Sequence, residues 1–379
     1  MGSVDYFDES HRILRQTLAK FVEKEIKPHV EEWEEAGGFP RELYRRAGEV
    51  GLLGVGYPEE YGGSGGDVFH MIVAIEELIR CGSGGVAAGL GTHGIAIPPI
   101  LAMGTEEQKK RFVPPVLSGE KVAALGITEP GAGSDVASIR TRAVRDGDGY
   151  VVNGSKTFIS SGARADIVTL AVRTGGPGPH GVSLLVVETD TPGFVVSRQL
   201  KKMGWWASDT AELAFEDMRV PEANLLGQEG QGFYGIMHNF QMERLTLAVM
   251  SNVTAELALQ ESIKYAKARE AFGRTLAGFQ VIRHKLVEMA MLVDVAREYA
   301  YRVAAKVNAG LDAVTEVSMA KIFSADACAK VCDAAVQIHG GYGFMREYLV
   351  ERLYRDSRIL SIGGGTSEIM KEVISKRML

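Results

Sequence analysis

Cysteine is scarce in this chain, with three thiols in 379 residues, too few for the disulfide framework that staples small secreted domains. Cys328 and Cys332 stand four apart in a helical pattern with no histidine pair nearby, which argues against zinc. All three are expected to be reduced core thiols in a reducing compartment. A long apolar run is also missing. A membrane-spanning helix takes roughly 18 such residues, and the nearest stretch, Gly84 to Gly104, is interrupted by His93, Pro98 and Pro99. The opening residues, MGSVDYFDESHR, are polar and acidic. They show neither a secretory signal nor an Arg-rich transit peptide, so a cytoplasmic location is expected, with a trimmed mitochondrial form as the alternative. Nor is there a basic excess: the net charge is −6, with Lys and Arg scattered among acids. That balance argues against nucleic acid as a partner.

What is present divides into three textures. Residues 1–120 read as a helical domain punctuated by Gly-rich turns such as Gly62-Gly63-Ser64-Gly65-Gly66. Asp8 or Ser10 is placed to cap a first helix whose apolar face carries Leu14, Leu18 and Phe21, and Pro28 should bend or end it. Over residues 121–228 the period switches to two. Short β-branched runs such as GYVVNGSKTFISSG, DIVTLAVRT and GVSLLVVE predict a β-barrel or sandwich and not a doubly wound parallel sheet. Residues 229–379 return to a strict helical period. Ile282, Leu286, Met289, Val293, Ala296, Ala300, Val303 and Val307 recur at steps of four and three, the seam of an antiparallel four-helix-type bundle. The fold class is therefore α+β multidomain.

The strongest local signal is GITEPGAGSD, Gly126 to Asp135. Gly131-Ala132-Gly133 suggests a dinucleotide fingerprint, but Val136 stands where a third small residue belongs, and strand-like alternation follows where a helix should. The motif reads better as an inter-strand loop offering backbone N–H groups and the hydroxyls of Thr128 and Ser134. A tight turn that binds nothing is the competing reading.

Taken with NGSKTFISSG (Asn153 to Gly162), this loop resembles the acyl-CoA dehydrogenase family of flavoproteins. GLLGVGYPEEYGGSGG, RVPEANLLGQEGQGF, REAFGRTLAGFQ, QIHGGYGFMREYLVERLYRD and GGGTSEI extend the resemblance in order along essentially the whole chain. It implies FAD bound between the β domain and the C-terminal bundle, and α,β-dehydrogenation of an acyl-CoA thioester to the 2-enoyl-CoA. It further implies electron-transfer flavoprotein as acceptor and a homotetramer or dimer. Carried over by position, Ile127, Thr128, Gly133 and Ser134 would line flavin and CoA phosphates. Phe158 and Ser160 would flank the isoalloxazine, Phe158 standing where a Trp is common. Arg269, Phe272 and Gln280, with Gln337, Ile338, Gly340 and Gly341, would reach a neighbouring subunit's FAD. Thr366 and Glu368 would meet the adenosine half of FAD.

The reaction removes a weakly acidic α-proton, so a carboxylate must be held close with its pKa raised by desolvation. Many members place that Glu immediately before the Gly-Thr of the C-terminal motif, where this chain has Gly364. The long-chain and isovaleryl branches place it on a bundle helix. The corresponding segment, NFQMERLTLAVM, puts Glu243 in the slot, so Glu243 is the expected base. Gly364 would retain only its peptide N–H, aimed at the thioester oxygen. Tyr234, Phe240, Arg244 and Ser134 would face the substrate. The absent side chains at Gly363 and Gly364 are expected to open space for an acyl group that is long, branched or cyclic near the thioester. His339 is expected to make a backbone or ring contact, His93 to be structural, and Trp205 and Trp206 to pack. Two other readings stand beside this one: a flavin oxidase of the same fold, and a non-catalytic acyl-CoA-binding scaffold. No metal is expected.

Overall fold

The computed structural model describes residues 6–379. Nine helices open the chain: α1 (Glu9–Phe21), α2 (Val30–Ala36), α3 (Glu42–Glu49), α4 (Val68–Ile79), α5 (Gly84–Leu90), α6 (His93–Ala96), α7 (Pro98–Met103), α8 (Glu106–Phe112) and α9 (Pro114–Leu117). Between α1 and α2 the backbone passes through a π turn, then a 3₁₀ turn that holds Pro28. α1 and α4 begin with the same device. The carboxylates of Asp8 and Asp67 accept from the N–H groups of His11 and His70, whose Nδ1 atoms accept from the N–H of Asp8 and Asp67 in return. His11 Nε2 also lies 3.0 Å from the Asp67 carboxylate, so the two caps lock together. Among the described residues this is a compact His/Asp cluster, and helix capping accounts for its hydrogen bonds.

Among the described residues no single helix is long and apolar enough to cross a membrane. The bent pair of α5 with α6–α7 comes nearest, and it buries Val86, Leu90, Ile97 and Ile100 in the protein core.

The middle of the chain supplies an eight-stranded mixed sheet, in agreement with the predicted β domain. Its strands are β1 (Ala123–Gly126), β2 (Arg142–Asp146), β3 (Gly149–Ser160), β4 (Ile167–Arg173), β5 (Val182–Glu188), β6 (Phe194–Gln199), β7 (Thr210–Pro221) and β8 (Leu225–Leu226). They order as β6-β7-β3-β2-β4-β5-β8, with β1 parallel to β4. Val136 to Ser138, where alternation suggested a strand, form a 3₁₀ turn instead, and the strand starts at Arg142. Side chains alternate as the pleat requires. Tyr150, Val168, Leu185, Leu213 and Phe215 fill one core, while Ile167, Ala171, Leu184 and Val186 meet α6, α7 and α9 in another.

The C-terminal bundle is built on α10 (Gly232–Ala268), α11 (Gln280–Asn308) and α12 (Val314–His339), followed by α13 (Leu349–Ser357) and α14 (Ser367–Met378). The seam read from the sequence packs inward: Met289, Val293, Ala296, Ala300 and Val303 are buried. So are Ala320, Ser324, Ala327 and Val331 of α12, whose small side chains let it lie close to α10. The N-terminal helices share one hydrophobic core with this bundle, Leu18, Phe21 and Trp33 joining Leu247, Met250, Val331 and Leu353. All three thiols are free and buried.

Candidate active site

Three groups of the expected site residues form in the structure. The first is the loop from Ile127 to Ser134 with the end of β3. Lys156 is fully buried, and its ammonium donates to the Ile127 carbonyl (2.9 Å) and the Glu129 carboxylate (2.8 Å). Glu129 also accepts from the N–H groups of Arg140 and Thr141. Those contacts hold its pKa down against burial, while burial lowers Lys156 to about 8. Thr157 N–H donates to the Thr128 carbonyl (2.9 Å), tying the loop to β3. The loop is thus fixed from beneath, while Gly133 and Ser134 are exposed. A Cβ at Gly131 or Gly133 would meet nothing within 4 Å. Sequence reading passed over Glu129 and Lys156. They lie 27 residues apart and are ordinary charged residues until the strand pairing brings them together.

Beyond Lys156 the register of β3 against β7 slips. Phe158 sits in that slip with φ +61° and 67% of its surface exposed. A bulky residue at positive φ is strained, and here it leaves an aromatic ring in solvent. Ser160, two residues on, is half-buried at the strand end.

The second group surrounds Glu243. Leu245 and Leu247 are buried beside it, its Oε2 has no accessible surface, and no hydrogen-bond partner for that atom is found among the described residues. Burial pushes its pKa up to about 7, against the opposing charges of Arg244 and Lys321. Arg244, buried, donates from Nε to the Gly364 carbonyl (3.2 Å), and its guanidinium lies over the Phe240 ring at 5.6 Å. Gly364 and Gly365 have φ of +63° and +98°, the left-handed turn that delivers the chain into α14. Thr366 caps that helix by accepting from Ile369 N–H, with Glu368 exposed in the first turn. Tyr234 is half-exposed and sits beside His180, its hydroxyl 3.3 Å from Nε2.

One expectation fails here. The missing side chain at Gly364 does not open space for substrate, because a Cβ there would lie 2.5 Å from Leu247 Cδ1. Leu247 already fills that volume. At Gly363 a Cβ would meet Ile359 at ordinary contact distance. The preference for a long, branched or cyclic acyl group therefore loses its structural ground.

The third group lies at the other end of α10. Arg269 follows Glu243 by 26 residues, which at 1.5 Å per helical residue is roughly 39 Å away. It stacks over Tyr342 at 5.5 Å, and Phe272, with φ +52° and 96% exposed, projects from a two-stranded hairpin. Gln280 opens α11, Ile338 is buried, and Gln337, Gly340 and Gly341 are exposed at the end of α12. The third group does not meet the first two within one chain.

The remaining candidates behave as packing. His339 Nδ1 bonds the Ala335 carbonyl, and its ring stacks on Tyr265 at 4.2 Å. His93 Nδ1 lies 2.9 Å from the Leu90 carbonyl. Trp206 is covered by the guanidinium groups of Arg355 and Arg346.

The chain matches three domain families in order: acyl-CoA dehydrogenase N-terminal domain over residues 8–120, middle domain over 124–218 and C-terminal domain over 230–379. This chain belongs to the acyl-CoA dehydrogenase family. Its members are flavin-dependent oxidoreductases acting on acyl-CoA thioesters. An acyl-CoA dehydrogenase of Bacillus subtilis is 43% identical over 97% of each chain. A solved probable acyl-CoA dehydrogenase of Mycobacterium abscessus is 56% identical, with TM-score 0.97, covering 99% of this chain and 100% of that one. A Bacillus anthracis acyl-CoA dehydrogenase solved with FAD is 36% identical, with TM-score 0.93, covering 98% of this chain and 68% of that one.

Features of this structure fit such a cofactor. The loop backbone at Gly131 and Gly133 is open, the aromatic ring of Phe158 is strained and exposed, and a carboxylate oxygen is left buried without a donor. If the Lys156–Glu129 pair fixes the first of these, Lys156→Met should cost about 3–5 kcal/mol by stranding a buried carboxylate. Thermal unfolding of the FAD-loaded protein should show the loss, with flavin released at a lower temperature than in wild type.

Proposed function

We propose that the chain is an FAD-dependent acyl-CoA dehydrogenase in which Glu243 takes the α-proton. The observation that carries this is the position of its carboxylate. Glu243 Oε1 lies 3.5 Å from where a Cβ at Gly364 would stand, and position 364 is the slot that supplies the base in many members of the family. A carboxylate reaching in from α10 therefore serves the same volume as one rising from the tail. Its surroundings suit the task. A carboxyl with a pKa near 7 is ionised often enough at neutral pH to accept a proton, and basic enough to draw one from carbon. The Gly364 N–H would donate to the thioester oxygen as negative charge gathers there. Ile127, Thr128, Gly133, Ser134, Phe158 and Ser160 would hold FAD, which when bound supplies the acceptor for the hydride leaving Cβ. Ser134, Tyr234 and Phe240 are assigned to the substrate side. Arg244 is assigned through its grip on Gly364, and Thr366 and Glu368 to the adenosine half.

The reading extends to a second copy of the chain. On α11, Val281, Met291 and Val295 are exposed on one face, and Phe272 and Phe344 stand out beyond it. A single chain leaves these apolar groups in water, far from its own Glu243. In a homotetramer or dimer, Arg269, Phe272, Gln280 and Gln337 to Gly341 would complete a neighbour's cofactor site. Electron-transfer flavoprotein is the proposed acceptor, and the division into domains near residues 120 and 228 is proposed with the rest.

Glu243→Gln should retain FAD and bind acyl-CoA, yet slow anaerobic flavin bleaching by about 10²–10⁴-fold. Normal bleaching would place the base elsewhere. The pH dependence has a defined sign. In wild type the bleaching rate should rise as Glu243 ionises through about pH 7. Folding stability should do the opposite. The native carboxyl keeps its proton up to about 7 while the unfolded one releases it near 4.5, so stability falls as pH rises through that window. Glu243→Gln should therefore melt higher than wild type at pH 8, and the difference should vanish by pH 4.

Reoxidation of the reduced enzyme distinguishes a dehydrogenase from an oxidase. Stopped-flow mixing should show fast reoxidation by electron-transfer flavoprotein and slow reoxidation by dioxygen. For the assembly, Val281→Asp combined with Met291→Asp should yield a smaller particle in sedimentation velocity, with loss of bound flavin.

A further inference from the structure

The turn carrying Gly364 is held from below by two cations. Arg244 of α10 donates to the Gly364 carbonyl at 3.2 Å, and Lys321 of α12 donates to the next carbonyl, Gly365, at 2.7 Å. Lys321 has no exposed surface, and its neighbours on the same helix, Ala320 and Ser324, are small and buried. Burying an ammonium is expensive unless it is compensated, and one neutral carbonyl is meagre compensation. A leucine or methionine would pack that volume at lower cost. Packing alone therefore does not account for a lysine here.

We propose that Lys321 is a positioning residue for the dehydrogenation. It fixes the Gly363–Gly365 turn so that the Gly364 N–H keeps its aim, and it places a positive charge under the Glu243 carboxylate. The inference rests on the reading of Glu243 as base and of the Gly364 N–H as donor to the thioester.

The charges around the two groups support it. Lys321 is faced by Glu243 and Arg244 from α10, by Asp326 on its own helix and by Glu368 from α14. Glu243 is faced by Arg244 and Lys321, both of which favour its ionised form. Burial and the charge of Arg244 bring the Lys321 ammonium down to about 8, so it is still charged over the range in which Glu243 titrates. Without that charge the desolvated carboxyl would hold its proton to higher pH, leaving less base at neutrality. Lys321 thus limits how far burial can raise Glu243.

The test follows the carboxyl itself in the FAD-loaded protein, with no substrate present. The infrared titration of Glu243 is obtained as wild type minus Glu243→Gln, and repeated in Lys321→Arg, Lys321→Gln and Lys321→Met. Arg keeps the charge and a donor, Gln keeps a donor only, and Met keeps neither. The Glu243 midpoint should stay near wild type in Lys321→Arg. It should rise by roughly half to one pH unit in Lys321→Gln and Lys321→Met. Hydrogen exchange across residues 362–368 should speed up in Lys321→Met and much less in Lys321→Gln. An unmoved midpoint in both neutral variants, with only the melting temperature lowered, would overturn the proposal. Should Lys321→Met fail to fold, Lys321→Gln against Lys321→Arg decides the question. Failure of the underlying reading looks different: Glu243→Gln would bleach normally while the midpoint still responded to Lys321.

Discussion

A carboxylate with one oxygen buried and lacking a donor is unfavourable in any fold. At Glu243 the chain accepts that cost, and much of the C-terminal half is arranged around it. The helix that carries Glu243 is 37 residues long and packs on α11, α12 and the N-terminal helices. The residue cannot swing out to solvent without disturbing several contacts. Leu247, one turn on, closes the volume above Gly364, and the left-handed turn at Gly364 and Gly365 brings bare backbone against the carboxyl. Two cations then hold the carbonyls of that turn. Each feature alone would be a packing detail. Together they keep one acidic group poised to ionise near neutrality, and they hold a peptide N–H close to it.

Strain in the backbone follows the same logic. Among the described residues only five non-glycine positions have positive φ, and two of them are Phe158 and Phe272. Both are aromatic and exposed, and both belong to segments proposed above to hold flavin. An aromatic ring in water at a strained backbone position gains nothing for an isolated chain, so the surrounding structure must hold it there. Phe158 is held by the register slip of β3 against β7, and Phe272 by its hairpin. The roughly 40 Å run of α10 between Glu243 and Arg269 keeps the second ring away from the Glu243 pocket of its own chain, as the proposed assembly requires. In the proposed assembly the helix that carries Glu243 would also work as a strut, presenting its far end to a second copy.

Features that depend on local pattern were legible in the sequence. The α11 seam from Met289 to Val303, the alternation in β4 and β5 and the Asp8 cap follow from spacing and residue type alone, whereas the ring contact of His339 came from its place in the family pattern. Glu243 could be singled out only because a family pattern named two possible slots and Gly364 emptied one of them; as a Glu beside an Arg it looks like helix surface. Lys156 with Glu129, and Lys321 with Gly365, were not legible. Each joins residues tens of positions apart, and a buried lysine reads like a solvated one until the fold is known. The misjudged space at Gly364 has the same cause. Glycine removes a side chain, but whether a cavity results depends on a neighbour, and Leu247 comes from a different helix.

That misjudgement sharpens the account of the base. A carboxylate at position 364 would need a Cβ in a left-handed turn and a Leu247 that stood aside. A carboxylate on α10 needs neither condition, and its Oε1 already reaches to 3.5 Å from where a Cβ at position 364 would stand. What separates the two arrangements is Leu247, whose Cδ1 would lie 2.5 Å from a Cβ at position 364. Leu247 and Gly364 belong to the choice as much as Glu243 does. Moving the base back to the tail would require changes at all three positions, while the turn itself, gripped by Arg244 and Lys321, could stay as it is. The invariant of the site is then the placement of backbone and charge, and the carboxylate can enter from either side.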